Sequence, residues 1–511
     1  MVSPKEIAAV YDGKKADSEV EKRSSEIVHG SSVVFLGALV GRVLRFCTIV
    51  LLGRVLGPHS FGVYALSFSI IEILRRFCLL GIDTGLLKFI PILSLKAEEG
   101  EIRGTIIASY TIVGSIGLVL GGTLFIASPF LAEVIFGMPG ASSTLKVFAI
   151  ALPFYSLVTL TAFTARSFKR MGEDVAIREI SHPLLILLCC TVVFLLGYRL
   201  MGAALGFLLS TALSALLGLM LVAKIFPPLF SAMKASFHVT RLLRFSLPLV
   251  VIGFSQLLLY QTDKIMIGYF MAEKDVGIYS AASTLGLQMA IILNAFIAIF
   301  SPIMAELQHE KKVCQLEELL GRVTRWVLLI TIPLFLVFLL FPSQVMGIYG
   351  PTYTSGWSSL VIISLACLLG VAFGPLGYLL VMSGRQDLEL VNNAAMVVAN
   401  VVLNIWLIPR YGIVGAAMAT GSTLMLISLI RLGEVYWLMD MYPFSRKYVK
   451  PAGAALIASL LGFLIKNASN AQYWWLVGSA VLVFTYVGLL LTFRLEREDK
   501  DAMLMLLRIR Q

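Results

Sequence analysis

The sequence predicts an all-α polytopic membrane protein: about fourteen transmembrane helices, arranged as two pseudo-symmetric six-helix bundles followed by two C-terminal helices. Three observations lead there. Of 511 residues, 58% are hydrophobic and only 14% charged, against roughly 25% charged in soluble domains. Apolar runs repeatedly reach the ~20 residues that cross a bilayer as helix, without the period-2 alternation of a β-barrel. The chain also matches itself at an offset of about 213 residues.

Taken in order, residues 1–27 form a polar segment of mixed charge, and no short apolar stretch with a cleavage site marks a signal peptide. The expected spans then cover about 31–52, 61–90, 104–127, 143–167, 178–197, 200–223, 244–270, 276–303, 321–341, 356–383, 388–408, 411–437, 449–466 and 473–494. The second and tenth are long and interrupted, and the Gly374–Pro375 pair predicts a kink. The loops are short; the longest, near 224–243 and 304–320, cannot hold a folded domain.

Basic residues give the orientation. With the N-terminus in the cytoplasm, inner loops carry Lys14, Lys15, Lys96, Arg103, Lys169, Arg170, Lys234, Arg241, Lys312 and Arg385. Outer loops hold few, such as Arg54, Arg199 and Lys274, a bias of about five to one. The net charge of +11 is therefore a topology signal, suited to anionic lipid headgroups and not to nucleic acid. Both termini are expected in the cytoplasm, with a tail at 496–511.

The repeat aligns "GRVLGPHSFGVYA" (53–65) with "GYFMAEKDVGIYS" (268–280), pairing Gly53 with Gly268, Gly62 with Gly277 and Tyr64 with Tyr279. Further matches pair Gly137 with Gly350, Gly172 with Gly384, and "GAA" at 202–204 with "GAA" at 415–417. About six spans separate the copies, so the repeat is parallel, with its axis along the membrane normal. It predicts lobes at 28–235 and 236–443, then spans thirteen and fourteen within 444–495.

Charges inside spans are functional candidates, because a charge in hydrocarbon costs about 2.5–3.5 kcal/mol or more. Arg42 and Arg45 share a face of the first span, with no acid beside them in sequence. Glu72, Arg75 and Arg76 fall at i, i+3 and i+4, so Glu72 can pair with either arginine. In the seventh span Gln256, Tyr260, Asp263 and Lys264 form a polar stripe, continued in the eighth by Ser280, Thr284 and Gln288. Asp263 and Lys264 point about 100° apart; Asp263 is the favoured functional member, while Lys264 is long enough to snorkel. Asn393, Asn400 and Asn404 share a face of the eleventh span, where bonding across helices is the plain alternative to a functional role. Arg431 and Glu434 close the twelfth span near its cytoplasmic end, where they snorkel to the interface or pair with each other.

Six cysteines show neither metal nor disulfide spacing, and no two of the five histidines approach ligand spacing, so no metal site is expected. Phosphate loops and hydrolase motifs are absent, and no enzyme activity or cofactor is predicted. Spacings such as Gly37/Gly41, Gly117/Gly121, Gly202/Gly206 and Gly370/Gly374 allow close helix contact, read as packing within one chain and hence a monomer.

Two bundles with inward polar stripes describe a transporter working by alternating access. Three stretches, "LLGRVLGPHSFGVYALSFSI", "YQTDKIMIGYFMAEKDVGIYSAA" and "RYGIVGAAMATGST", together with the tail "REDKDAMLMLL", resemble the polysaccharide-exporting flippases of the MOP (multidrug/oligosaccharidyl-lipid/polysaccharide) exporter superfamily over residues 30–500. The resemblance implies a V-shaped pair of lobes that moves a polyprenyl-pyrophosphate-linked oligosaccharide from the inner to the outer leaflet. Glycan polymerases or glycosyltransferases are then possible partners. On that reading Arg42, Arg45, Arg75 and Arg76 hold the anionic headgroup, since guanidinium matches phosphate bidentately. Gln256, Tyr260, Asn393 and Asn400 would meet sugar hydroxyls. Asp263, with Lys264 and Glu72, would balance charge or bind a coupling H⁺ or Na⁺. A multidrug exporter is the alternative, though organic cations call for acidic or aromatic walls. A membrane glycan transferase or an assembly scaffold is a more distant reading.

Overall fold

In the computed structural model, the structure describes residues 4–230, 234–310, 312–441, 449–468 and 474–492; side chains are described from residue 37 onward, apart from scattered positions that include Gln256. The N-terminal segment's side chains and the 496–511 tail lie outside the described residues. Helices follow one another throughout, and no strand occurs among the described residues.

Each expected span has its helix. Helix α1 (Pro4–Leu79) contains the first span and most of the second, broken at Gly57, whose φ of 69° and ψ of 172° leave the helical region. Glycine adopts that backbone without a Cβ clash, and the proline that follows removes a helical donor. The second span ends in α2 (Ile82–Leu95), beyond a left-handed turn at Leu80–Gly81. Next come α3 (Glu99–Phe130), α4 (Ala141–Ser167), α5 (Met171–Val175), α6 (His182–Leu195) and α7 (Leu200–Ile225). A π-helical turn at Ala176–Ser181 joins α5 to α6 without a break, and another at Leu131–Ile135 extends α3. Helices α8 (Val239–Phe270), α9 (Glu273–Leu287), α10 (Ala290–His309) and α11 (Val313–Leu340) carry spans seven to nine, followed by the short α12 (Pro342–Met346). The tenth span is α13 (Trp357–Ala372) and α14 (Leu376–Met382), parted at Gly374–Pro375. Helix α15 (Gln386–Met439) holds the eleventh and twelfth, broken at Gly412. Helices α16 (Val449–Ala468) and α17 (Trp474–Thr492) are the last two. Among the described residues, eight helices are individually long and apolar enough to cross a membrane.

The chain divides into two compact units that interleave in sequence. The first holds Met1–Ile49, Leu74–Ser128 and Ser143–Val251; the second holds Val50–Ile73, Pro129–Ser142 and Ile252–Gln511. The first has a core of Leu79, Ile82, Leu86, Phe89 and Ile90 of α1 and α2, packed with Ile106, Leu160, Phe226 and Leu242. Small residues set its helix approaches. A Cβ on Gly41 would stand 2.3 Å from the Glu179 carbonyl oxygen, and one on Gly117 would stand 2.9 Å from the Pro153 Cα. In the second unit, Met304, Leu316, Leu320, Val323, Leu376 and Leu379 join α10, α11 and α14. There the repeat-related Gly62 and Gly277 meet: a Cβ on either would fall about 3 Å from the other's backbone nitrogen (2.9 and 3.0 Å).

Candidate functional site

Polar clusters lie within the apolar helices of both units. The first is built on α1. Arg42 and Arg45, a turn apart, are both half-buried. Arg45 donates through Nη2 to Glu179 Oε2 at 2.5 Å, and Glu179 stands on the π-helical turn. The same carboxylate lies 3.3 Å from Arg178 Nε, which also approaches Asp174 Oδ1 at 3.6 Å. Arg42 feels the charges of Glu179 and Arg45 yet forms no hydrogen bond or ion pair among the described residues. Three guanidinium groups thus share one carboxylate fully and a second in part. In a medium where charges are weakly screened, such an excess attracts an anion.

Arg75 and Arg76, further along α1, are engaged differently. Arg75 donates to Thr159 Oγ1 at 2.8 Å and lies 4.8 Å over the Tyr155 ring, which in turn stacks on His182. Arg76 donates to Asp83 Oδ2 at 3.0 Å, and Asp83 is buried in the first turn of α2. Its charge is therefore matched by an acid that the spacing of Glu72, Arg75 and Arg76 did not reveal. Glu72 belongs to the second unit, near enough to Lys264 to act on its charge.

The second cluster centres on Asp263 of α8, which is 3% exposed. Its carboxylate accepts from Tyr279 Oη at 2.5 Å, from Asn404 Nδ2 at 2.8 Å and from Thr420 Oγ1. Asn400 links the same groups: its Oδ1 accepts from Asn404 at 3.0 Å, and its Nδ2 donates to Thr420 at 3.3 Å. Asn404 Oδ1 is buried with no hydrogen-bond partner among the described residues. Asp263, Asn400, Asn404 and Thr420 thus join in one buried hydrogen-bonded cluster around a carboxylate, with oxygens of the type that hard cations take. Lys264 turns to Gln261 Oε1 at 3.3 Å, an oxygen that also accepts from Ser69 at 2.9 Å.

The remaining expected residues scatter. Tyr260 is 40% exposed, and Gln256's side chain is outside the described residues. Asn393 is buried beside an ion pair: Arg431 binds both carboxylate oxygens of Glu389, and Asn393 donates to Glu389 Oε1 at 3.0 Å while accepting from Arg431 at 3.3 Å. Glu434, expected beside Arg431, accepts instead from Asn392 at 2.6 Å. Helical spacing made the Arg431–Glu434 pairing plausible, but Glu389 lies across the helix contact with both oxygens aligned to the guanidinium.

Glu179, Arg178, Asp83, Glu389, Tyr279 and Thr420 complete these clusters and went unmarked in the sequence. For Tyr279 the repeat gave a signal, its alignment with Tyr64. Arg178 and Glu179 stand at the start of the expected fifth span, 178–197, and drew no reading of their own.

The model of the family described as "Polysaccharide biosynthesis protein" matches residues 27–308. Stage V sporulation protein B of Bacillus subtilis (strain 168) is 22% identical over 509 residues, covering 92% of this chain and 96% of that protein. The succinoglycan biosynthesis transport protein ExoT of Rhizobium meliloti (strain 1021) is 22% identical, over 63% of this chain and 62% of its own. Among solved structures, the lipid II flippase MurJ in an inward closed conformation shares the fold, with a TM-score of 0.72 at 13% identity, over 90% of this chain and 98% of that one.

Proposed function

We propose, from the premise that this chain belongs to the polysaccharide biosynthesis protein family, that it flips a polyprenyl-pyrophosphate-linked oligosaccharide from the cytoplasmic to the outer leaflet by alternating access. The reading draws on the transport and flippase functions named for its relative and its structural neighbour. One observation carries it. Arg42 and Arg45 stand on one face of an apolar helix, half-buried, and Arg42 makes no ion pair among the described residues. A cation kept that way in a membrane span is suited to an anionic ligand, and guanidinium forks fit phosphate. An organic-cation exporter would be poorly served by this excess of positive charge.

In the proposed orientation both termini are cytoplasmic, and the first unit's arginines receive the headgroup while the lipid tail stays in the bilayer. Coupling to a cation is assigned to the Asp263 cluster. Its buried carboxylate, held by Tyr279, Asn404 and Thr420, is the group on which a coupling H⁺ or Na⁺ would act. A bound monovalent cation would neutralise Asp263 and draw α8 and both halves of α15 together.

The test is complementation of a flippase-deleted strain carrying a defined lipid-linked glycan. Arg42→Ala and Arg45→Ala should each cut export about tenfold or more, on the scale of one lost charge-assisted phosphate contact. Full export by both variants would remove the basis of the assignment. Asp263→Asn should abolish any dependence of export on Na⁺ at constant ionic strength; an unchanged dependence would move the coupling site elsewhere.

A further inference from the structure

We propose that Glu179 is a built-in counter-anion of the Arg42–Arg45–Arg178 site, displaced by the substrate's pyrophosphate, and that it thereby rejects singly charged membrane phospholipids. The idea rests on the flippase reading above. Its physical basis is the unequal exposure and charge of the cluster. The Glu179 side chain is 12% exposed, while those of Arg45 and Arg178 are 43% and 37% exposed. The carboxylate thus sits inside, and the guanidinium groups open outward.

The backbone is arranged to bring this acid to α1. Gly41, one turn before Arg45, has no side chain where a Cβ would lie 2.3 Å from the Glu179 carbonyl oxygen and 2.9 Å from its Oε2. The π-helical turn Ala176–Ser181 inserts an extra residue at the same place, a feature frequent at functional positions.

The consequence follows from charge. With no ligand, Glu179 keeps the arginines from standing uncompensated in a low-dielectric span. A phosphodiester lipid with one negative charge offers Arg45 no more than the carboxylate it must replace. A pyrophosphate diester brings two charges and more acceptor oxygens, enough to engage Arg45 together with Arg42 or Arg178. Displacing Glu179 costs every anion alike, and only an anion with a second charge to engage Arg42 or Arg178 recovers that cost.

The experiment uses the full-length protein in nanodiscs, titrated separately with polyprenyl pyrophosphate and with phosphatidylglycerol. Glu179→Gln should bind both lipids about tenfold tighter, which makes phosphatidylglycerol, excluded by the wild-type protein, a measurable ligand. Arg178→Gln should weaken the pyrophosphate lipid about tenfold. Weaker or unchanged binding of both lipids by Glu179→Gln overturns the proposal and makes the residue a strut for Arg45. If Arg42→Gln and Arg45→Gln also leave both affinities unchanged, the headgroup assignment itself fails. If they weaken binding while Glu179→Gln is silent, only the counter-anion role falls. Should Glu179→Gln not fold, carbodiimide labelling of Glu179 in the wild-type protein decides. Polyprenyl pyrophosphate should raise labelling as the carboxylate leaves Arg45; unchanged or reduced labelling overturns the proposal.

Discussion

At Arg431 a guanidinium grips both oxygens of Glu389, with Asn393 bonded to each partner. Removing one member leaves the other as a buried, uncompensated charge, which costs about 3–5 kcal/mol. Arg431→Gln should therefore lower the thermal midpoint in detergent by several degrees, and Arg431→Met with Glu389→Met should recover most of the loss. The Asp263 cluster answers a different measurement. Thr420→Val deletes one donor to the carboxylate and one oxygen of the candidate cation set. It should weaken Na⁺-dependent stabilisation about tenfold in apparent affinity while leaving the fold intact, as read by thermal shift against Na⁺ concentration. At this scale the sequence exposed the charged residues but not their partners. Asp263, Asn400 and Asn404 stood out as polar residues in apolar runs. That they touch could not be read, because helical spacing defines a face and not what covers it. Thr420 and Tyr279 are ordinary in membrane helices, and only proximity to Asp263 distinguishes them. Asp83 escaped because it lies in the turn where an expected continuous span breaks.

For the helices themselves, close packing depends on particular glycines. Gly41→Leu would drive a side chain into the Glu179 backbone and should reduce monodisperse protein sharply, since overpacking at a backbone contact typically costs about 1–3 kcal/mol or more. Gly114, on α3, has open space around its Cβ position, so Gly114→Ala should be neutral or raise stability by about 0.5–1 kcal/mol through helix propensity. Fluorescence-detected size exclusion after a heating series compares the two. Helix positions were legible because apolar length is a strong signal, and the Gly374–Pro375 break was announced by its residues. The π-helical turns were not. They leave composition and periodicity almost unchanged, so nothing in the sequence set Glu179 apart.

Across the whole molecule, the repeat was the most informative pattern in the sequence. It aligned Gly62 with Gly277, and these two positions pack against each other, with α9 against the second part of α1. On the proposed orientation both lie near the outer ends of their helices. Gly62→Ala would place its Cβ 1.7 Å from the Glu273 carbonyl oxygen, and Gly277→Ala 2.1 Å from that of Pro58, so each should lower both export and the thermal midpoint. Wild-type export and stability in both variants would show that the close approach is not required.

That meeting of equivalent glycines has a historical implication. Identical patches face each other when two copies of one subunit pair across a two-fold axis. A half-length ancestor that dimerised before its gene was fused would have touched itself at this same residue. In the chain as it stands the two positions share one constraint: enlarging either one crowds the other's main chain.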